Sequence, residues 1–126
     1  MCLNWIEHRW SPANKLDAPE IGYKVFFKIK DCYHPFVMPN HYGSYKMNEW
    51  CEDDNENILF MQGSEQTYPI GFHIFKNYMD AYFFRNQTMK GIICKVLYND
   101  VVAIGEQGTN RMTIVARKFK IIEEID

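Results

Sequence analysis

Six consecutive residues, Ile70-Gly71-Phe72-His73-Ile74-Phe75, alternate strictly, and the pattern then changes period within two residues. Tyr68-Pro69 supplies a turn signal ahead of them, and Lys76-Asn77 leads into the aromatic run Tyr78-Met79-Asp80-Ala81-Tyr82. Period two places Ile70, Phe72 and Ile74 on one face of a strand and Gly71, His73 and Phe75 on the other. Asn77 suits an N-cap, and Asp80 in the first turn complements the helix dipole, so a helix is expected at about residues 78–88. The Ile70 face is core. If the other face met only water, Phe75 would be exposed, so that face should look into a groove or a second layer.

The remaining strands are read from β-forming runs and turn residues. Residues 22–29, Gly-Tyr-Lys-Val-Phe-Phe-Lys-Ile, form the first. Residues 31–43 hold Pro35, Pro39 and Gly43 and read as loop, and 51–57 read as an acidic, solvated break. Residues 92–97 and 101–105 are expected as two short strands joined by a tight turn at Asn99-Asp100. Gln107-Gly108-Thr109-Asn110 is a turn, and 112–123 alternates as one long closing strand. The expected fold class is α+β: a mostly antiparallel sheet with one main helix, in a single domain over 22–126. Residues 1–21 carry Pro12 and Pro19 and read as an irregular arm, packed on the domain through Trp5 and Trp10.

At 126 residues the chain can bury a real core without disulfide or metal staples. Its aromatic content of 16% makes a ring-lined groove easy to build. A net charge of -2 argues against holding a phosphate backbone by bulk electrostatics, so nucleic acid is a weak expectation. No apolar run approaches the ~20 residues of a membrane span, and the first ten residues lack the pattern of a signal peptide. The expected location is cytoplasmic, with Cys2, Cys32, Cys51 and Cys94 reduced.

Four groups of residues invite chemistry. Cys32, His34, His41 and Cys51 have the softness of zinc ligands, but their spacing lacks paired ligands, so no metal is expected. Removal of Met1 would expose Cys2 as an α-amino thiol; an inert second residue is the plainer account. Residues 111–120 carry a basic strand, with Tyr23 and Phe26 as rings on which single-stranded nucleic acid or a nucleotide could stack; a half-solvated face is the commoner account. His73, in mid-strand, is more often a hydrogen-bonded structural residue than a catalyst.

Tyr23-Lys24-Val25, Gly71-Phe72-His73-Ile74-Phe75 with Ala81, Cys94-Lys95-Val96, Val102-Ala103-Ile104-Gly105-Glu106 and Val115-Ala116-Arg117-Lys118 together resemble a loose family of small uncharacterised phage and bacterial proteins. Many of these also begin Met-Cys-Leu. The resemblance covers roughly residues 22–120 and implies a fold more than an activity. A more distant likeness is to ADP-ribosyltransferase-like domains, which would place Tyr23 or Lys24, then Gly71-Phe72-His73, then Glu106 at their three motif positions. That likeness implies a degenerate split sheet of the ADP-ribosyltransferase type with catalytic candidates His73 and Glu106; ligand contacts are expected from Tyr23, Lys24, Phe75 and Tyr42. The first strand lacks the family's His or Arg, and His73 stands where Tyr or Ser is usual.

The leading expectation is a small non-enzymatic accessory protein of phage or mobile-element type, binding a partner protein or a nucleotide ligand. Rings of residues 33–50 would anchor the partner. No cofactor is required, although NAD or a nucleotide fits the likeness. The alternatives are an NAD-handling, ADP-ribosyltransferase-like enzyme and a single-stranded nucleic-acid binder.

Overall fold

The computed structural model describes residues 5–6, 18–35, 44–53, 58–60, 67–69, 71–88, 91–106 and 111–125. Its strands are β1 (Trp5–Ile6), β2 (Glu20–Ile29), β3 (Cys32–Pro35), β4 (Trp50–Glu52), β5 (Ile58–Phe60), β6 (Thr67–Pro69), β7 (Phe72–Phe75), β8 (Ile92–Glu106) and β9 (Met112–Glu124). The helix α1 (Tyr78–Thr88) follows β7 at the expected place. Seven strands form one antiparallel sheet in the order β1-β8-β2-β7-β9-β4, with β3 beside β2. Because β8 also pairs β9, the ring β2-β7-β9-β8 closes on itself as a small barrel. A separate ribbon joins β5 and β6.

Closure depends on the length and bend of β8. It pairs β2 from Ile92 to Tyr98, and its pairing with β9 runs on to Glu106. Asn99-Asp100 therefore does not end a strand, contrary to the expected hairpin turn. Asp100 takes a left-handed φ of 60°, and Asn99 Oδ1 accepts a hydrogen bond from the Asp100 amide at 2.8 Å. The same local chemistry that favours a turn here makes a corner within a 15-residue strand. A register shift between Val101 and Ala103 accompanies it.

The interior holds Phe26, Tyr33, Phe72, Ile74, Cys94, Val96, Tyr98, Val101, Ile114, Ala116, Phe119 and Ile121. Its rings pack edge to face: Phe119 lies 4.6 Å from Phe72 and 5.1 Å from Tyr45 between centroids, and it stacks with Phe26 at 6.0 Å. Outside the barrel, α1 lays Ala81 and Phe84 over Val25, Phe75 and Ile93. The second face of β7 thus meets a second layer, with Phe75 and Phe84 rings 5.4 Å apart. At the start of α1, the Asn77 side chain donates to Asp80 Oδ2 over 3.5 Å, and Ala81 N donates to Asn77 O.

Gly22 sits where β2 passes close to β7. A Cβ there would sit 2.5 Å from Ile74 Cγ2 and 3.1 Å from the Phe75 carbonyl oxygen. Gly22→Ala should therefore cost about 1–2 kcal/mol by overpacking, read as a lowered urea midpoint at unchanged slope.

Several sequence expectations need correction. Residues 32–35, read as loop, form β3, because Lys30 at φ 57° lets Lys30-Asp31 turn the chain directly back on β2. Glu20 and Ile21, assigned to the arm, belong to β2, and Trp5–Ile6 pairs Gly105–Glu106. The first part of the expected acidic break is not a break, and residues 54–57 lie outside the described residues. Cys51 and Glu52 lie in β4, and Asp53 is buried, its amide donating to the Arg117 carbonyl. The ribbon β5–β6 occupies positions with no strand assignment. Among the described residues, no helix is long and apolar enough to cross a membrane.

Candidate functional site

The two catalytic candidates stand on opposite faces of the barrel wall. His73 pairs Val115 and alternates with Phe75, so it points outward, toward the layer that α1 covers. Glu106 pairs Met112 and alternates with Ile104, whose partner Ile114 faces the interior cluster. Glu106 lies in strand β8 between Trp5 and Met112, not in a turn. His73 is 5% exposed.

The ligand candidates divide in the same way. Tyr23 and Phe75 are register partners on the helix side, and Tyr23 meets Tyr78 edge to face at 5.8 Å. Lys24 points the other way, between Gly22 and Phe26 in alternation, and enters the barrel opposite Cys94. Tyr42, His41 and Cys2 lie outside the described residues. Cys32 and His34 are on β3, which pairs β2, whereas Cys51 is on β4, which pairs β9. Among the described residues no three His, Cys, Asp or Glu side chains are grouped as metal ligands. Of the rings proposed for nucleic-acid stacking, Phe26 is fully buried.

Lys24 is the most perturbed cation of the barrel. Its Nζ donates to the His73 carbonyl at 2.7 Å and lies 5.8 Å from the Phe26 ring centroid. Burial lowers its pKa from 10.5 to about 8. Farther along the same face of β2, Glu124 Oε2 accepts from the Tyr33 hydroxyl at 2.6 Å and from Lys28 Nζ at 3.1 Å. Those two bonds hold the Glu124 carboxyl below its usual pKa, and they tie β3, β2 and β9 together at one mouth of the barrel. The Cys94 thiol beside them is pushed up to about 12 by burial, so it remains a neutral thiol.

An open cleft lies elsewhere, on the outer face of β4, β9 and β8. It measures about 320 Å3 and is lined by Trp50, Cys51, Glu52, Asn99 and Lys118. Register builds it: Glu52 pairs Lys118, and Lys118 pairs Asn99, so three polar side chains form one row across three strands. Trp50 stands one pleat away, 47% exposed, with Lys120 Nζ 5.2 Å from its ring centroid. Asn99 Oδ1 is held by the Asp100 amide, which leaves the amide NH2 to donate outward. Burial raises the Cys51 thiol to about 11, and it donates to Glu49 O, so the cleft carries no thiolate nucleophile. A ring, a cation, a carboxylate and an amide are tools of recognition. Trp50 ends the ring-rich stretch expected to anchor a partner, and Lys118 lies in the basic strand expected at 111–120, whereas Glu52 and Asn99 fall only within an expected acidic break and an expected turn. The only sequence signal that joins them is the alternation of β9, which cannot name the strands on either side.

Comparison of the chain with protein-family models, with curated proteins and with solved structures found no match.

Proposed function

We propose that this protein acts by binding, as a small non-enzymatic accessory protein of phage or mobile-element type, and that the Trp50 cleft receives its partner protein or nucleotide ligand. The half-exposed Trp50 beside a lined cleft carries the reading. Natural interfaces and ligand sites both use such a ring as an anchor, because it brings large area at small entropic cost. An NAD-handling, ADP-ribosyltransferase-like activity would need His73 and Glu106 on one cleft wall, and their opposite facing weakens that alternative. The burial of Phe26 weakens the single-stranded nucleic-acid alternative in the same way.

Trp50→Ala separates binding from folding. The ring lies on a short edge strand and is half in water, so its removal should cost under about 1 kcal/mol of stability. A thermal-shift screen against NAD, ADP-ribose, cyclic dinucleotides and short oligonucleotides, with cross-linking to candidate partner proteins, should give signals that Trp50→Ala abolishes. NAD turnover that survives Trp50→Ala and is lost on Glu106→Ala would overturn the proposal.

A further inference from the structure

We infer that the Trp50 cleft is a mononucleotide site that prefers guanine. This rests on the binding reading above and names the ligand class for the same site. Each part of such a ligand meets a matching group. Lys120 packs over the Trp50 ring but does not line the cleft, so the indole has a second side on which a planar base can stack. Base stacking on an aromatic side chain tolerates any base, so selection must come from the polar row.

Glu52 supplies that selection. Guanine presents two adjacent N–H donors on its Watson–Crick edge, which a carboxylate can accept together, whereas adenine offers one donor beside an acceptor. Glu52 is exposed and lies opposite Lys118 in register, yet no ion pair joins them among the described residues. Both charges are thus available to a ligand, the carboxylate to the base and the ammonium to the phosphate. Asn99, whose oxygen already accepts from the Asp100 amide, offers its NH2 to a phosphate or carbonyl oxygen. A cleft of about 320 Å3 is at the lower end of small-ligand sites, which suits one nucleotide and excludes a long strand.

The test is isothermal titration of the full chain with GMP, AMP, guanosine and inorganic phosphate, repeated on Trp50→Ala, Glu52→Gln and Lys118→Met. Circular dichroism checks that each variant is folded. Saturable GMP binding is expected with a Kd of about 1 mM or tighter, and AMP should bind at least about fivefold more weakly. Trp50→Ala should abolish binding of both. Glu52→Gln should remove the guanine preference, and Lys118→Met should weaken GMP toward the level of guanosine. Equal binding of GMP and AMP by the natural chain would overturn the preference. No saturable binding of any mononucleotide would overturn the inference. The broader binding reading would then stand if Trp50→Ala still abolished capture of another ligand or partner, and would fail with it if Trp50→Ala changed no binding at all.

Discussion

Phe119→Ala should lower stability by about 3–5 kcal/mol and the melting temperature by about 10–20 °C. Phe119 is fully buried and is the ring on which the interior converges, in contact with Phe26, Tyr45 and Phe72. Those neighbours come from β2, the segment before β4, and β7, so the cavity would open between strands that the closed ring holds apart. Such a site collapses poorly, and the cost lies at the upper end for a buried phenylalanine. Against a typical total of about 5–15 kcal/mol, much of the fold's stability would go. Phe83→Ala is the matched control. That ring is 51% exposed on the outward side of α1, and its loss should cost under about 1 kcal/mol. Equal effects for the two, measured by urea unfolding, would contradict the barrel interior as described.

Lys24→Met should stabilise the protein by about 2–3 kcal/mol at neutral pH, a burial penalty of about 3–4 kcal/mol removed less about 1 kcal/mol for the lost hydrogen bond to His73 O. The ammonium is buried, and among the described residues no carboxylate pairs with it; its hydrogen bond goes to the His73 carbonyl. Its pKa falls from 10.5 to about 8, so each unit of the difference corresponds to about 1.4 kcal/mol against the charged, folded form. The direction with pH follows from proton counts. Between pH 8 and 10.5 the unfolded chain holds the lysine proton and the folded chain has released it, so stability rises with pH across that window. Below pH 8 both states are protonated and the penalty is constant. The advantage of Lys24→Met should therefore be full at pH 7 and shrink as pH climbs toward 10.5. A variant less stable than the natural chain at pH 7, or a difference that does not move with pH, would refute this placement of Lys24.

The strand-to-helix unit at 72–88 was legible because local signals agreed: period two, then Asn77, then Asp80 in the first turn. Ile70, the expected start of the strand, lies outside the described residues. Phe75 showed that a second layer covers that face, and α1 is the layer. Asn99-Asp100 was misread because a left-handed residue with an Asx hydrogen bond looks the same in a hairpin turn and in a strand corner. Only the pairing of β8 with both β2 and β9 distinguishes them, and that pairing is a long-range fact. Residues 30–31 failed for the opposite reason. The chain turns there with Lys30 at positive φ and without glycine or asparagine, so the turn had no marker.

The aromatic content was visible in composition but its use was not. Phe26, Tyr33, Tyr45, Phe72 and Phe119 fill a barrel, where a groove was expected, and Trp50 alone of the described residues 33–50 presents a half-exposed ring. The cleft beside it depends on which strand neighbours which. Glu52, Lys118 and Asn99 are 66 and 19 positions apart in sequence and become adjacent only through register. Lys24 was named from the likeness as a ligand contact beside Tyr23. Strand alternation sends the two side chains to opposite faces, which separates them however close they are in sequence.

Amide chemical-shift mapping during addition of GMP to the labelled full chain tests the central claim most directly, because it reports both whether a ligand binds and where. Perturbations should concentrate on residues 50–52, 98–100 and 117–120, leave the amides of His73 and α1 unmoved, and vanish in Trp50→Ala. Perturbations centred on His73 and Glu106, or none at all at millimolar nucleotide, would contradict the cleft as the binding site.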